Sequence, residues 1–285
     1  MENISNTIPL RDFGGDGEPL HFLHANGYPP ACYLPLLNRL KNGYHVYGMY
    51  LRPLWERYSP EELTDWQLLS DDFLRFLNGK NTSKVIAVGH SLGAIVSLRA
   101  AIQAPGYFRA LILIDPVLFP PIFISGWRFI QFLGLGYKLH PLIPTAQKRR
   151  RNFDDLDILF TAYRRKKIFR YLNDEYLRIL INGLVKPAPG SGYELAYSPE
   201  WEVKIYYTGV SSDADIWREL PKLNLPLLII RGAETNTFFP STAARIQRIF
   251  PSTKVVTVEK STHLVPLERP EKVSEIIFGF LEKMQ

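Results

Sequence analysis

Val85-Ile86-Ala87-Val88-Gly89-His90-Ser91-Leu92-Gly93 is the stretch whose reading decides the fold. Its first four residues are apolar and mostly β-branched, and the run is the length of a buried strand. A helical pattern opens at Leu92 and continues to Ala104. Between them stands G-x-S-x-G, in the strand–turn–helix setting that this pattern requires. A serine on so sharp a bend takes a strained backbone. Small residues at Gly89 and Gly93 let strand and helix approach, and the hydroxyl then stands exposed at the helix N-terminus. The backbone N–H of Leu92 is placed to meet a developing oxyanion. A tight turn whose serine merely caps the helix uses the same residues. The flanking strand and helix favour the nucleophile reading for Ser91.

Outward from this turn the chain alternates. Strand-length apolar runs lie at Leu20 to His24, His45 to Tyr50, Leu111 to Ile114, Leu227 to Ile230 and Lys254 to Val258. Helical patterns fall between or after them, at Tyr33 to Leu40, Glu61 to Leu77, Thr242 to Phe250 and Pro270 to Met284. Such alternation predicts an α/β fold, a mostly parallel sheet with helices on both faces. The alternation breaks after Asp115 and resumes near Leu225. The expected organisation is a sheet core made of 1–115 and 225–285, interrupted by a mostly helical cap over 116–224. An insertion at the carboxyl side of a parallel sheet sits where ligands bind in such folds.

Composition narrows the class. The 285 residues are 46% hydrophobic and 22% charged, as in an ordinary globular protein. One cysteine, Cys32, excludes an intramolecular disulfide framework and a cysteine-based zinc cluster. With a polar N-terminus lacking an apolar signal core, this points to a reducing, cytoplasmic setting in which the sequons at Asn3 and Asn81 stay idle. The net charge is +6, and all of it is local: residues 138 to 178 carry eleven Lys/Arg against five Asp/Glu. Pro116 to Tyr137 is long enough to span a membrane and holds a single charge, Arg128. Three prolines and three glycines interrupt it, so it reads as a buried or interfacial apolar helix.

Two further segments bear on the chemistry. His263 stands in Ser261-Thr262-His263-Leu264-Val265-Pro266-Leu267-Glu268-Arg269-Pro270, after the last strand and before the last helix. That is the Ser…His chain order in which the base comes last. A second oxyanion donor belongs in the loop after the strand at 20–24, which reads His24-Ala25-Asn26-Gly27. Asn26 is the first choice for that N–H, with Ala25 and Gly27 as alternatives. An ordinary strand-to-helix turn needs the same small residues.

Together the His-Ala-Asn-Gly loop at 24–27, the Gly-His-Ser-Leu-Gly turn at 89–93, Leu-Ile-Asp-Pro at 113–116 and His-Leu-Val-Pro-Leu-Glu-Arg-Pro at 263–270 resemble the α/β-hydrolase superfamily with a helical cap. The resemblance covers nearly the whole chain. It implies cleavage of an ester or similar acyl bond through a covalent acyl-enzyme, with Ser91 as nucleophile and His263 as base. It implies no metal and no organic cofactor. A serine at position 91 argues against the dehalogenating relatives, which carry aspartate there. The triad acid departs from the common pattern. Its usual loop here reads Arg231-Gly232-Ala233-Glu234-Thr235-Asn236-Thr237, and the aspartate of similar sequences falls at or beside Asn236. Three readings stay open. Asp115 supplies the acid from the end of the strand beside the nucleophile strand; Glu234 reaches in from the usual loop; or Asn236 replaces the acid and leaves a weakened, ligand- or partner-binding relative.

The cap gives hints about substrate. Val117 to Gly136 is apolar and aromatic, suited to lining an acyl pocket with Phe119, Phe123 and Trp127. Simple cap core accounts for the same residues. The basic clusters Lys148-Arg149-Arg150-Arg151 and Arg164-Arg165-Lys166-Lys167 face either solvent or an anionic membrane surface. No nucleic-acid recognition motif accompanies them. The expected substrate is therefore a small carboxylic ester with an apolar acyl group, and the rival from the same segment is a membrane-peripheral lipase or acyltransferase.

Overall fold

The computed structural model describes residues 8–80, 84–210 and 213–284. The sequons at Asn3 and Asn81 lie outside them. In chain order the elements are β1 (Leu10–Gly14), β2 (Glu18–Leu23), α1 (Leu34–Leu40), β3 (Tyr44–Met49), α2 (Gln67–Lys80), β4 (Val85–His90), α3 (Leu92–Gln103) and β5 (Phe108–Ile114). Then come α4 (Pro121–Phe132), α5 (Gly136–Leu139), α6 (Ile143–Gln147), β6 (Asn152–Phe153), α7 (Leu156–Arg164), α8 (Asp174–Leu184), β7 (Val185–Pro187), β8 (Tyr193–Leu195), α9 (Pro199–Thr208) and α10 (Ala214–Glu219). The chain closes with β9 (Leu227–Gly232), α11 (Pro240–Ile249), β10 (Lys254–Val258), α12 (Val265–Glu268) and α13 (Pro270–Leu281).

Seven strands form one sheet in the order β1-β3-β2-β4-β5-β9-β10. All neighbours pair in parallel except β1, which runs antiparallel to β3 at the edge. This is the mostly parallel sheet that the alternation predicted. The central strands β4 and β9 are buried at every residue, as strands covered on both faces must be. One apolar cluster packs α2, α3 and α10 against one face; a second packs α1, α8, α12 and α13 on the other side. Edge strand β1, Leu-Arg-Asp-Phe-Gly, carries too few apolar residues for its pattern to be read in advance.

Among the described residues, the segment between β5 and β9 holds seven α-helices and a three-stranded antiparallel sheet, β6-β8-β7. Those strands are two or three residues long, below what periodicity reveals. α8 packs closely on the turn Pro30–Tyr33, where Gly183 leaves room for Cys32: a Cβ there would stand 2.5 Å from the Cys32 nitrogen. Cys32 is itself buried. No described helix is long and apolar enough to cross a membrane.

Candidate active site

Three parallel strands end on the residues singled out by sequence. β4 delivers Ser91, β5 delivers Asp115, and the loop after β10 delivers His263. Ser91 has φ 54° and ψ −113°, a left-handed backbone that non-glycine residues adopt only where surroundings enforce it. The enforcement is visible. The Ser91 N–H donates to Ile114 O at 2.9 Å, which continues the β4–β5 ladder. A Cβ on Gly89 would lie 2.4 Å from Gly93 O, and one on Gly93 would lie 2.2 Å from Leu23 O. Strand and helix approach this closely only because both positions lack a side chain.

The three functional groups form one hydrogen-bonded chain. Ser91 Oγ lies 2.9 Å from His263 Nε2, and His263 Nδ1 lies 2.8 Å from Asp115 Oδ1. With Nδ1–H donating to the carboxylate, Nε2 is left to accept the serine hydroxyl. Asp115 is fully buried and also has positive φ, 41°. Its oxygens take two further donors, the Gly232 N–H at 2.9 Å and the Thr235 hydroxyl at 2.6 Å. A buried carboxylate held by three donors is satisfied as the anion. The other two acid candidates stand elsewhere. Glu234 is exposed, and its carboxylate accepts from Arg170 and Tyr171. Asn236 is exposed and accepts from the Thr237 hydroxyl at 3.4 Å.

The oxyanion side is as follows. Leu92 is the first residue of α3, so its N–H has no acceptor within the helix. The Ala25 N–H donates to the Tyr33 hydroxyl at 3.2 Å, which removes Ala25 from the donors available. Asn26 is buried, and its side-chain amide donates to Glu202 O of α9 at 3.1 Å. That bond fixes the loop beneath the segment linking β5 to β9. Arg149 pairs with Glu202 at 2.6 Å and reaches the Tyr163 hydroxyl at 3.2 Å.

Several residues that sequence reasoning passed over support this arrangement. His90, the variable residue of the G-x-S-x-G turn, is buried between two loops. The Tyr33 hydroxyl lies 2.8 Å from His90 Nδ1, and His90 Nε2 lies 2.8 Å from the carbonyl of His263. Directions follow from the ends of the chain. Nε2–H must donate to the carbonyl, so Nδ1 accepts the tyrosine proton and the Tyr33 oxygen accepts from Ala25. Burial holds the His90 pKa well below the usual histidine value, as this neutral tautomer requires. The strut joins the loop of Asn26 to the loop of His263. Glu268 braces the latter loop from the other side, accepting from the Thr262 N–H at 2.6 Å and the Thr262 hydroxyl at 2.8 Å. Tyr33 carries no signal of its role in the sequence; Thr235, Glu268 and His90 lie inside the quoted stretches without a pattern that marks their roles.

Of the aromatic residues expected to bind substrate, two stand together and the third is buried in the core. Phe119 and Phe123 stack with centroids 4.4 Å apart, and Phe123 is 49% exposed. Trp127 is buried in the core cluster. A cleft of about 310 Å³ lies elsewhere, lined by Glu61, Tyr137, Gln147 and Lys204 among others; Ser91 and His263 are not part of it. Its lining holds no serine, cysteine or histidine. The described residues contain no group of three or more His, Cys, Asp or Glu that could hold a metal ion.

Comparison with known proteins agrees with this architecture. Ethanol acetyltransferase 1 of Hanseniaspora uvarum is 24% identical over 225 residues, which cover 75% of this chain and 64% of the yeast protein. The chain thus spans less than two thirds of that relative's length. The 2-(acetamidomethylene)succinate hydrolase of Mesorhizobium japonicum is 25% identical, covering 97% of this chain and 92% of its own. The crystal structure of E-2-(acetamidomethylene)succinate hydrolase superposes with a TM-score of 0.77 at 21% identity, covering 96% of this chain and 95% of that one. The family model described as "Alpha/beta hydrolase family" matches residues 22–276. With the parallel sheet and nearly the whole length matched, the chain belongs to the alpha/beta hydrolase family.

Proposed function

We propose that the protein is a serine hydrolase that cleaves a carboxylic ester with an apolar acyl group through a covalent acyl-enzyme. The observation that carries this reading is the continuous hydrogen-bonded chain from Ser91 through His263 to the buried Asp115. Ser91 Oγ attacks the ester carbonyl while His263 Nε2 takes its proton. Asp115 holds the ring and stabilises the imidazolium. The N–H groups of Leu92 and Asn26 receive the oxyanion. His263 then returns the proton to the leaving alcohol, and water repeats the sequence on the acyl-serine to release the acid. Asp115 takes the role of triad acid in this reading, supported by its contact with His263 Nδ1, while Asn236 contacts Thr237.

We assign residues 116–224 as the cap and 1–115 with 225–285 as the core. The acyl group is assigned to the apolar surface around Phe119 and Phe123, with Trp127 buried behind it. A second reading, acyl transfer to an alcohol, is favoured by the likeness to the yeast ethanol acetyltransferase. It uses the same acyl-serine and differs in whether alcohol or water accepts the acyl group.

The test is hydrolysis of p-nitrophenyl esters of increasing acyl length, with Ser91→Ala alongside. The reading requires turnover that vanishes in Ser91→Ala and rises with chain length. Equal rates for wild type and Ser91→Ala on every ester would sink it. Adding ethanol to the assay separates the two readings: an ethyl ester formed in preference to the free acid assigns acyl transfer.

A further inference from the structure

α4 carries apolar residues on two opposite sides, with Ser125, Arg128 and Gln131 between them. At 100° per residue, Ile124 and Trp127 fall on the side buried in the core, with exposures of 1% and 7%. Ile122, Phe129 and Leu133 fall on the opposite side at spacings of seven and four. Ile122 is 82% exposed, Phe129 61% and Phe132 84%. The exposed apolar surface continues beyond the helix through Leu139 and Leu142. A helix whose outer face is as apolar as its inner face calls for a non-aqueous partner on that side.

The charge of the same segment says which partner. Residues 116–153 contain six Lys/Arg and no Asp or Glu. Arg149, Arg150 and Arg151 find their carboxylates outside it, on Glu202, Asp154 and Glu200. Lys138 and Lys148 are exposed and have no carboxylate partner among the described residues. A second copy of the chain fits poorly. A two-fold interface sets the same patch against itself, and here that would oppose cation to cation. An apolar stripe on a segment whose own charges are all cationic matches an anionic bilayer, with the stripe in the headgroup–acyl boundary and the lysines at the phosphates; Glu61 and Glu200 line the cleft on the side of Tyr137 and Gln147.

We propose that α4 and the segment to Leu142 dock the protein on an anionic membrane surface, with Ile122, Phe129, Phe132 and Leu133 inserted. α4 begins six residues after Asp115, so the docked face lies on the catalytic side of the sheet. The proposal concerns this surface alone and stands or falls apart from the reaction above.

The test is flotation of the full chain with vesicles of phosphatidylcholine alone and of phosphatidylcholine with about 30% phosphatidylglycerol, at low and high salt. The expected result is binding to the anionic vesicles at least about tenfold above the neutral ones, weakening as salt rises. Phe129→Ser/Phe132→Ser should abolish it. Lys138→Gln/Lys148→Gln should weaken it and flatten its salt dependence. Circular dichroism and hydrolysis of a soluble short-chain ester should be unchanged in both variants. Absent or equal binding to both vesicles would overturn the proposal. So would a dimer, seen by analytical ultracentrifugation without lipid, that Phe129→Ser/Phe132→Ser dissociates; that result assigns the face to a second copy.

Discussion

At the scale of single residues, the proposed role of Asp115 as triad acid rests on its burial and on the three donors to its two oxygens. Asp115→Asn keeps the shape but removes the charge that holds the imidazolium, and kcat should fall by about 10⁴. Glu234→Gln and Asn236→Ala should leave kcat unchanged in the same assay, since neither residue reaches His263. The strut through Tyr33 and His90 makes a separate prediction. Tyr33→Phe leaves the Ala25 N–H and His90 Nδ1 unpaired in a dry site, which should cost about 1–3 kcal/mol in urea denaturation. Because the strut ends on the backbone of His263, its loss should also lower kcat more than it raises KM. A fall in stability with unchanged kcat would reduce Tyr33 to a packing residue.

At the scale of elements, the turn from Gly89 to Gly93 shows what sequence makes legible. Glycines 89 and 93, the strand run before them and the helix after them are local features, and each matches the fold. Gly93→Ala drives a methyl group against the Leu23 carbonyl at the heart of the sheet, and should destabilise by about 3 kcal/mol, read as a lower denaturant midpoint. The choice among three acids was not local. It depends on β9 lying beside β5, which brings Gly232 and Thr235 to Asp115, and on the loop after β10 folding back over both. Spacing along the chain carries no trace of that juxtaposition. The short strands β6 to β8 and the polar edge strand β1 escaped for the opposite reason: too few residues, or too few apolar ones, to set a period. α4 was legible as apolar, but which of its faces meets solvent is decided by packing.

At the scale of the whole molecule, pH couples the sheet to stability. His21 and His24 are fully buried on β2 and just beyond it, and each accepts a backbone N–H, from Met49 and Leu51 respectively. Burial depresses their pKa values to about 3 and about 4. The unfolded chain protonates both near 6.5, so the stability they carry is full above that pH and lost as pH falls toward 4. His24 alone contributes a loss on the order of 3 kcal/mol over that window. Thermal melts should therefore drop steeply below about pH 6.5, and His24→Gln, which keeps an acceptor for Leu51, should make that slope shallower. A slope identical in wild type and variant would mean other groups govern acid unfolding. The proposed reaction turns on one atom, the Ser91 oxygen. The direct measurement is peptide mapping by mass spectrometry after exposure to an alkyl fluorophosphonate, which a triad-activated serine displaces at phosphorus to release fluoride. One stoichiometric adduct on the peptide holding Ser91, absent in Ser91→Ala and much slower in Asp115→Asn, is the predicted result. An unlabelled Ser91 in folded protein, or labelling that proceeds equally in Asp115→Asn, would contradict it.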